Sequence, residues 1–463
     1  MTEEFPESNE EFKNLISSID NKLNSKDSFY LDVEELLLVA DYYMKKGQEN
    51  KAVSVLKIGL NLHLNNTEIL FQMGIVYYNK MEYEKAIESI NLAQNIDPLM
   101  NEVNLLRAEI YSAQQESSKS IENYLLFITN ASEKERNEIY SDLAWEYESE
   151  EDFENALKYL LIAMEVNPNE DIYLFEIAYF FENLKKPTEC IAFFENYIDE
   201  NPYSHLAWYN LGNIYSDQKM FEKAVEAYDY ASIVNPEFAS AFFNKGNVHF
   251  KLKEYQKSIE CYFETFKLED NKAITCCYVG ECYEKLNNLE EAEKYYEMAL
   301  SINENIIEGL IGITLIKDRR GETLKGLPYI QKASVLHTEN TEVWYILGEV
   351  YEKLDRIEES QEAYQKAWGF SPKNIQLALD FSNFLAENSS VDEAINLIES
   401  MEDIKIKYRL VAYYFIIGKK LDALVLFENC LHENYDLHKE LLEYHSEITK
   451  YSTFMRLVKN LKK

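Results

Sequence analysis

Apolar side chains return along this chain at helical spacing, and the helices they predict repeat with a single period. Near the start, Phe12, Leu15, Ile16, Ile19 and Leu23 fall on one stripe of a helix. Near the end, Leu437, Leu441, Tyr444, Ile448, Tyr451, Met455 and Val458 alternate by four and three, which again gives one helical face. Between them, small residues recur at Ala52, Ala86, Ser120, Ala156, Cys190, Ala224, Ser258, Ala292, Gly326, Ser360, Ala394 and Ala423. The steps are 34 residues, except 36 before Ala156 and 29 before Ala423. Gly74, Gly212, Gly246, Gly280 and Gly348 keep the same frame. Glycine inside a helix costs about 1 kcal/mol against alanine. Its return at one phase therefore implies the close approach of two helix backbones.

The segments HLAWYNLGNIY (205–215) and TEVWYILGEVY (341–351) resemble the start of the tetratricopeptide repeat. They carry Trp208, Leu211, Gly212 and Tyr215, then Trp344, Leu347, Gly348 and Tyr351. The following halves are similar too, with Ala224, Tyr228, Ala231 and Pro236, and with Ser360, Tyr364, Ala367 and Pro372. Pro98, Pro168, Pro202, Pro236 and Pro372 stand at the repeat's closing position, where proline cannot continue a helix. Twelve units then begin at Val33, Thr67, Asn101, Asn137, Asp171, His205, Ala239, Ala273, Ile307, Thr341, Ile375 and Ile404.

The resemblance implies an all-α fold, a right-handed α-solenoid of about twelve helix pairs. Each pair buries its apolar face only by stacking on its neighbours. Residues 33–437 form the solenoid, with capping helices in 1–32 and 438–463. Tyr43, Tyr77, Tyr111, Tyr147, Tyr215, Tyr283 and Tyr351 share one phase and are expected to wedge between helices. Phe127, Tyr197 and Met401 replace the small residue of the second helix, so packing there should be wider. Gly321, Gly326 and Pro328 are expected to interrupt the second helix of the ninth repeat and mark a hinge.

Charge narrows the partners. The chain has 463 residues, with 46 basic against 82 acidic side chains and a net charge of −36. That excess argues against phosphate backbones and anionic membrane surfaces. It suits solubility, or a groove for a basic partner. The start, MTEEFPESNEEFK, lacks a basic segment leading into an apolar run, and no stretch approaches the ~18 apolar residues of a membrane span. Six cysteines are too sparse for a disulfide framework, which points to a reducing, cytoplasmic setting.

Candidate chemistry is thin. The chain has no GxSxG, P-loop, HExxH or CxxC motif, so no catalytic residue, cofactor or metal is expected. His249 stands where most repeats carry tyrosine and reads as a packed substitute. Cys276, Cys277 and Cys282 would fall on different faces of one helix and suit core packing better than metal.

In the family, the first helix of each pair lines the concave groove. By that resemblance, the wall of the middle units includes Phe175, Tyr179, Asn183, Tyr209, Asn213, Phe243, Asn247 and Phe250, with Asn210 and Asn244 one residue further round. Asparagine both donates and accepts, so it can pair with the main chain of an extended peptide, and exposed rings add anchoring area. Asn213 and Asn247 lie one period apart, and removing both should weaken such binding without lowering stability. In the front units Glu34, Glu68, Glu102 and Glu138 suit the helix dipole. Asp41, Glu109 and Glu148 lie deeper and make an acidic stretch suited to a Lys/Arg-rich segment. The inner positions Leu37, Phe71, Leu105, Ser141, Phe175, Tyr209, Phe243 and Cys277 carry no base, which argues against clamping a terminal carboxylate. Lys45, Lys251, Lys285, Arg319 and Lys353 stand late in their helices, near the rim. The expectation is a non-enzymatic adaptor holding an extended partner segment. Its alternatives are a structural subunit using the convex face or end helices, and a regulatory arm of a separate enzyme.

Overall fold

A computed structural model describes residues 10–25, 30–168, 170–268 and 272–461. They form 28 α-helices, with no strand among the described residues. The helices follow the 34-residue frame: first helices such as Val33–Lys45, Thr67–Asn79, His205–Asp217 and Ile404–Ile416 start at the positions the repetition marks. Two compact units divide the chain, residues 1–218 and 219–463.

Local chemistry sets the helix ends. Asn66 accepts from Ile69 N at 2.9 Å, Asn340 from Val343 N at 3.1 Å and Asn374 from Leu377 N at 3.1 Å. Each caps a first helix by satisfying an otherwise unpaired amide. Asp32 and Glu35 form a reciprocal capping box at Val33–Lys45. The turn within each pair holds one left-handed residue. It is glycine at Gly47 (φ 67°), Gly321 (φ 74°) and Gly418 (φ 84°), but Met81, Gln115, Glu151, Lys185, Lys219, Lys253, Asn287 and Asp355 elsewhere. The eleventh repeat lacks it, with Ser389 at φ −127°, and its second helix, Val391–Ile398, has only eight residues.

In the first unit, the helix Glu10–Ser25 lays Phe12, Ile16 and Ile19 into the core of the first two repeats, while the Leu23 side chain lies outside the described residues. The Phe12 and Tyr42 rings meet edge to face at 5.6 Å, and Tyr43 donates to Asp20 at 3.0 Å. The fourth repeat departs from the expected frame. Its first helix is split into Glu133–Asn137 and Tyr140–Ser149, because Ser132 and Glu135 cap an extra turn.

In the second unit, two kinds of contact recur within pairs. Ser258 Oγ donates to Gly246 O at 2.7 Å and Ser360 Oγ to Gly348 O at 2.8 Å, so the recurring small residue sits directly on the facing backbone. The recurring glycines do something else. A Cβ on Gly246, Gly280 or Gly348 would lie 2.7, 2.9 or 3.0 Å from the ring of Tyr262, Tyr296 or Tyr364. Glycine there makes room for a tyrosine sixteen residues on, where close approach of two backbones was expected.

Two further expectations are corrected. The helix Thr323–Leu336 runs unbroken through Pro328. Gly321 precedes it in the turn, and Gly326 packs with its Cβ site 3.1 Å from Thr314 O. The C-terminal segment is not one helix either: His438–Tyr444 and Ser452–Leu461 flank a 3₁₀ turn, Ser446–Lys450. Thr449 there bonds back to its own segment, Oγ1 donating to Ser446 O at 2.6 Å. The break brings Phe454 within 5.4 Å of Phe427 and 5.7 Å of Phe415, so Phe454 is buried in place of Met455.

Candidate peptide-binding groove

In the first unit, the first helices of the fifth and sixth repeats, Ile172–Asn183 and His205–Asp217, flank a groove with a cavity of about 540 Å³. Phe175 and Tyr179 stand at its mouth, 40% and 46% exposed. The Phe175 and Tyr209 rings meet at 6.3 Å, and Tyr179 packs edge-on against Phe153 at 5.9 Å. Asn213 also lines the groove and is half-buried. Asn183 is exposed, with Nδ2 donating to Tyr179 O at 2.9 Å. Asn210 differs: it is only 3% exposed and donates Nδ2 to Leu206 O at 3.0 Å. Burial leaves it a packing residue within its own helix.

The second unit holds the remaining groove candidates. The half-buried Phe243 contacts Tyr262 and Tyr278 at 5.6 and 5.3 Å, and Phe250 contacts Tyr255 at 5.3 Å. Asn247 Oδ1 accepts from the buried Tyr262 hydroxyl at 2.7 Å, while its Nδ2 reaches Asn244 Oδ1 at 3.4 Å. Its carbonyl is therefore engaged in joining the two helices of the seventh repeat.

The acidic candidates all lie in the first unit. Asp41 is paired with Lys45 at 3.1 Å. Glu109 is half-buried; desolvation and then the charge of Asp142 hold its carboxyl above the ordinary range. Desolvation also raises Asp142, with Glu146 adding repulsion. Glu148 is half-buried and repels Glu176, whose carboxyl is raised mainly by desolvation while Trp145 Nε1 donates to it at 3.0 Å. Asp142, Glu146 and Glu176 escaped the sequence reading, since they stand off the phase it followed.

The rim cations are matched by acids. Arg319 reaches Glu284 at 3.2 Å and Lys353 reaches Asp318 at 2.5 Å, each to the preceding repeat. His249 is buried and contacts Glu254 at 2.7 Å. Burial pushes the Cys276 and Cys282 thiols up to about 11, far from thiolate chemistry. Among the described residues no three His, Cys, Asp or Glu side chains gather as metal ligands.

Tetratricopeptide repeat models match residues 67–98, 138–170, 205–238, 239–264, 273–306 and 341–374. The TPR repeat-containing protein MJ1428 of Methanocaldococcus jannaschii is 25% identical over 458 residues, covering 82% of this chain and 76% of that protein. Human protein O-mannosyl-transferase TMTC1 is 25% identical over 195 residues, which is 41% of this chain and 22% of that protein. The solved APC/C hetero-tetramer Cut9–Hcn1 is 15% identical, covering 91% of this chain and 94% of that one at a TM-score of 0.42. Helix pairs in one 34-residue frame, matched in six segments by the family's own models, make this chain a tetratricopeptide repeat protein.

Proposed function

We propose that the chain is a non-enzymatic adaptor that holds a segment of another protein against the first-helix wall of its first unit. One observation carries the reading: Phe175 and Tyr179 remain 40% and 46% exposed around a cavity, beside the polar side chain of Asn213. Exposed rings around a cavity offer anchoring area, and an adjacent amide can pair with a peptide main chain. The family's helix pairs generally mediate protein–protein interaction, which favours this reading over catalysis.

The acidic side chains of the same unit favour a Lys/Arg-rich partner. Glu109, Asp142 and Glu176 are destabilised by desolvation and by neighbouring carboxylates, a penalty that a bound cation relieves. The six buried, free thiols suit a reducing cytoplasm.

Affinity capture with mass spectrometry, comparing the wild-type chain with a Phe175→Ala/Tyr179→Ala variant, tests the proposal. The variant should lose a partner that the wild type retains, and the retained complex should weaken as salt rises. Equal recovery of every partner by both proteins would remove the groove from consideration.

A further inference from the structure

The eighth residue of each repeat, counted from the unit starts, sits where the two helices of a pair cross. It is buried in eleven of the twelve repeats, as at Gly74, Gly246 and Thr314. Ala178 of the fifth repeat is the exception and is half-buried. Its helix, Ile172–Asn183, and the partner helix Pro187–Glu200 are held apart by a set of rings. Phe193 lies 6.1 Å from Phe181, 5.1 Å from Phe194 and 6.2 Å from Tyr197, the last standing where half of the repeats carry alanine. The cavity of about 540 Å³ therefore does not stop at the wall. It is lined by Ala178, Phe181, Pro187 and Cys190, and so enters the fifth repeat itself.

We infer that this cleft takes one aromatic side chain of the partner, flanked in the partner's sequence by Lys or Arg. The inference rests on the groove reading above and narrows it to one anchor. The interior is largely carbon, from Ala178, Phe181, Pro187 and Ile214, and aromatic rings gain most from such a desolvated pocket. Asn210 adds little polarity there, because its Nδ2 is already bonded within its helix. The mouth carries Glu182 and Asp217 against the single cation Lys185, so the residues beside the anchor meet excess negative charge.

The test uses a blocked peptide, Gly-Lys-(4-fluoro-Phe)-Lys-Gly, titrated into the full chain and followed by ¹⁹F NMR. Saturable binding is expected. It should weaken about tenfold or more, roughly the loss of one anchoring contact, when Cys190→Phe fills the cleft. Glutamate in place of both lysines should also weaken it. If Cys190→Phe does not fold, as judged by its thermal melt, Ala178→Leu carries the test, since Ala178 lines the cavity and is only half-buried. A competitor peptide with alanine at the anchor should fail to displace the probe.

Loss of affinity in Phe175→Ala but not in either filled variant would overturn the cleft and leave the groove reading standing. Unchanged affinity in all three would overturn both. Equal displacement by the alanine peptide would overturn the aromatic anchor. So would self-association of the chain that either filled variant abolishes, because the cleft would then belong to a second copy.

Discussion

The Tyr262 hydroxyl donates to Asn247 Oδ1 across 2.7 Å and ties together the two helices of the seventh repeat. Tyr262 is fully buried, so a hydroxyl left without its acceptor is costly. Asn247→Ala should lower stability by about 1–3 kcal/mol, read as a shift in the urea midpoint. An unchanged midpoint would mean that Ser258, the neighbouring hydroxyl, takes over the bond.

Tyr296 is held between Gly280 and Gly312, and a Cβ on either glycine would press into its ring. Tyr296 is only 4% exposed and has little room to move. Gly312→Ala should therefore destabilise by about 1–3 kcal/mol, the usual cost of overpacking, despite alanine's better helix propensity. A thermal melt at or above the wild-type temperature would contradict this geometry.

Glu109 is raised in the folded chain, so folding is opposed by its ionised form and the penalty is fully present above its folded pKa. Lowering the pH through that value toward the ordinary glutamate range of 4.5 removes the penalty. Glu109→Gln should then melt higher than wild type at pH 7, with the gap closing near pH 4. A gap that persists or widens in acid would assign the effect to something other than the carboxylate. If the acidic wall serves a basic partner, the same variant should bind that partner less well while being more stable.

Ile448, Phe454 and Val458 cover the last repeat, with Phe454 2% exposed against Phe415 and Phe427. Removing residues 438–463 should uncover that face and lower both solubility and melting temperature, as loss of a repeat-protein cap does. A truncated chain that stays monomeric with an unchanged melt would show that the segment serves docking and not capping.

Much of the fold was legible because one signal, a small residue returning every 34 positions, fixes both helices of a pair. The starts at Val33, Thr67, His205 and Ile404 coincide with helix starts for that reason. What stayed hidden depends on neighbours that the spacing does not encode. The burial of Asn210 and the engagement of Asn247 by Tyr262 arise from which way a helix turns against its partner. The break at Ser446–Lys450 follows from where Phe454 can reach, although the apolar spacing there suits an unbroken helix. The open fifth repeat left a partial trace in Tyr197. Yet Phe127 occupies the same phase in the third repeat while Ala108 there stays buried, so the residue alone does not decide the outcome.

The left-handed turn residue found in eleven of the twelve repeats bears on how the chain could change length. Where the path of the backbone is the same at matching points, excising or duplicating one full period rejoins ends of equal geometry. Such a change leaves every remaining helix pair with a compatible neighbour. An insertion of any other size has to be absorbed locally, as the extra turn Glu133–Asn137 is in the fourth repeat. The eleventh repeat, with Ser389 in place of the left-handed residue and a shortened second helix, is the one joint where this exchange would fail. Growth or loss by whole modules is thus open to most of this chain and closed near its end.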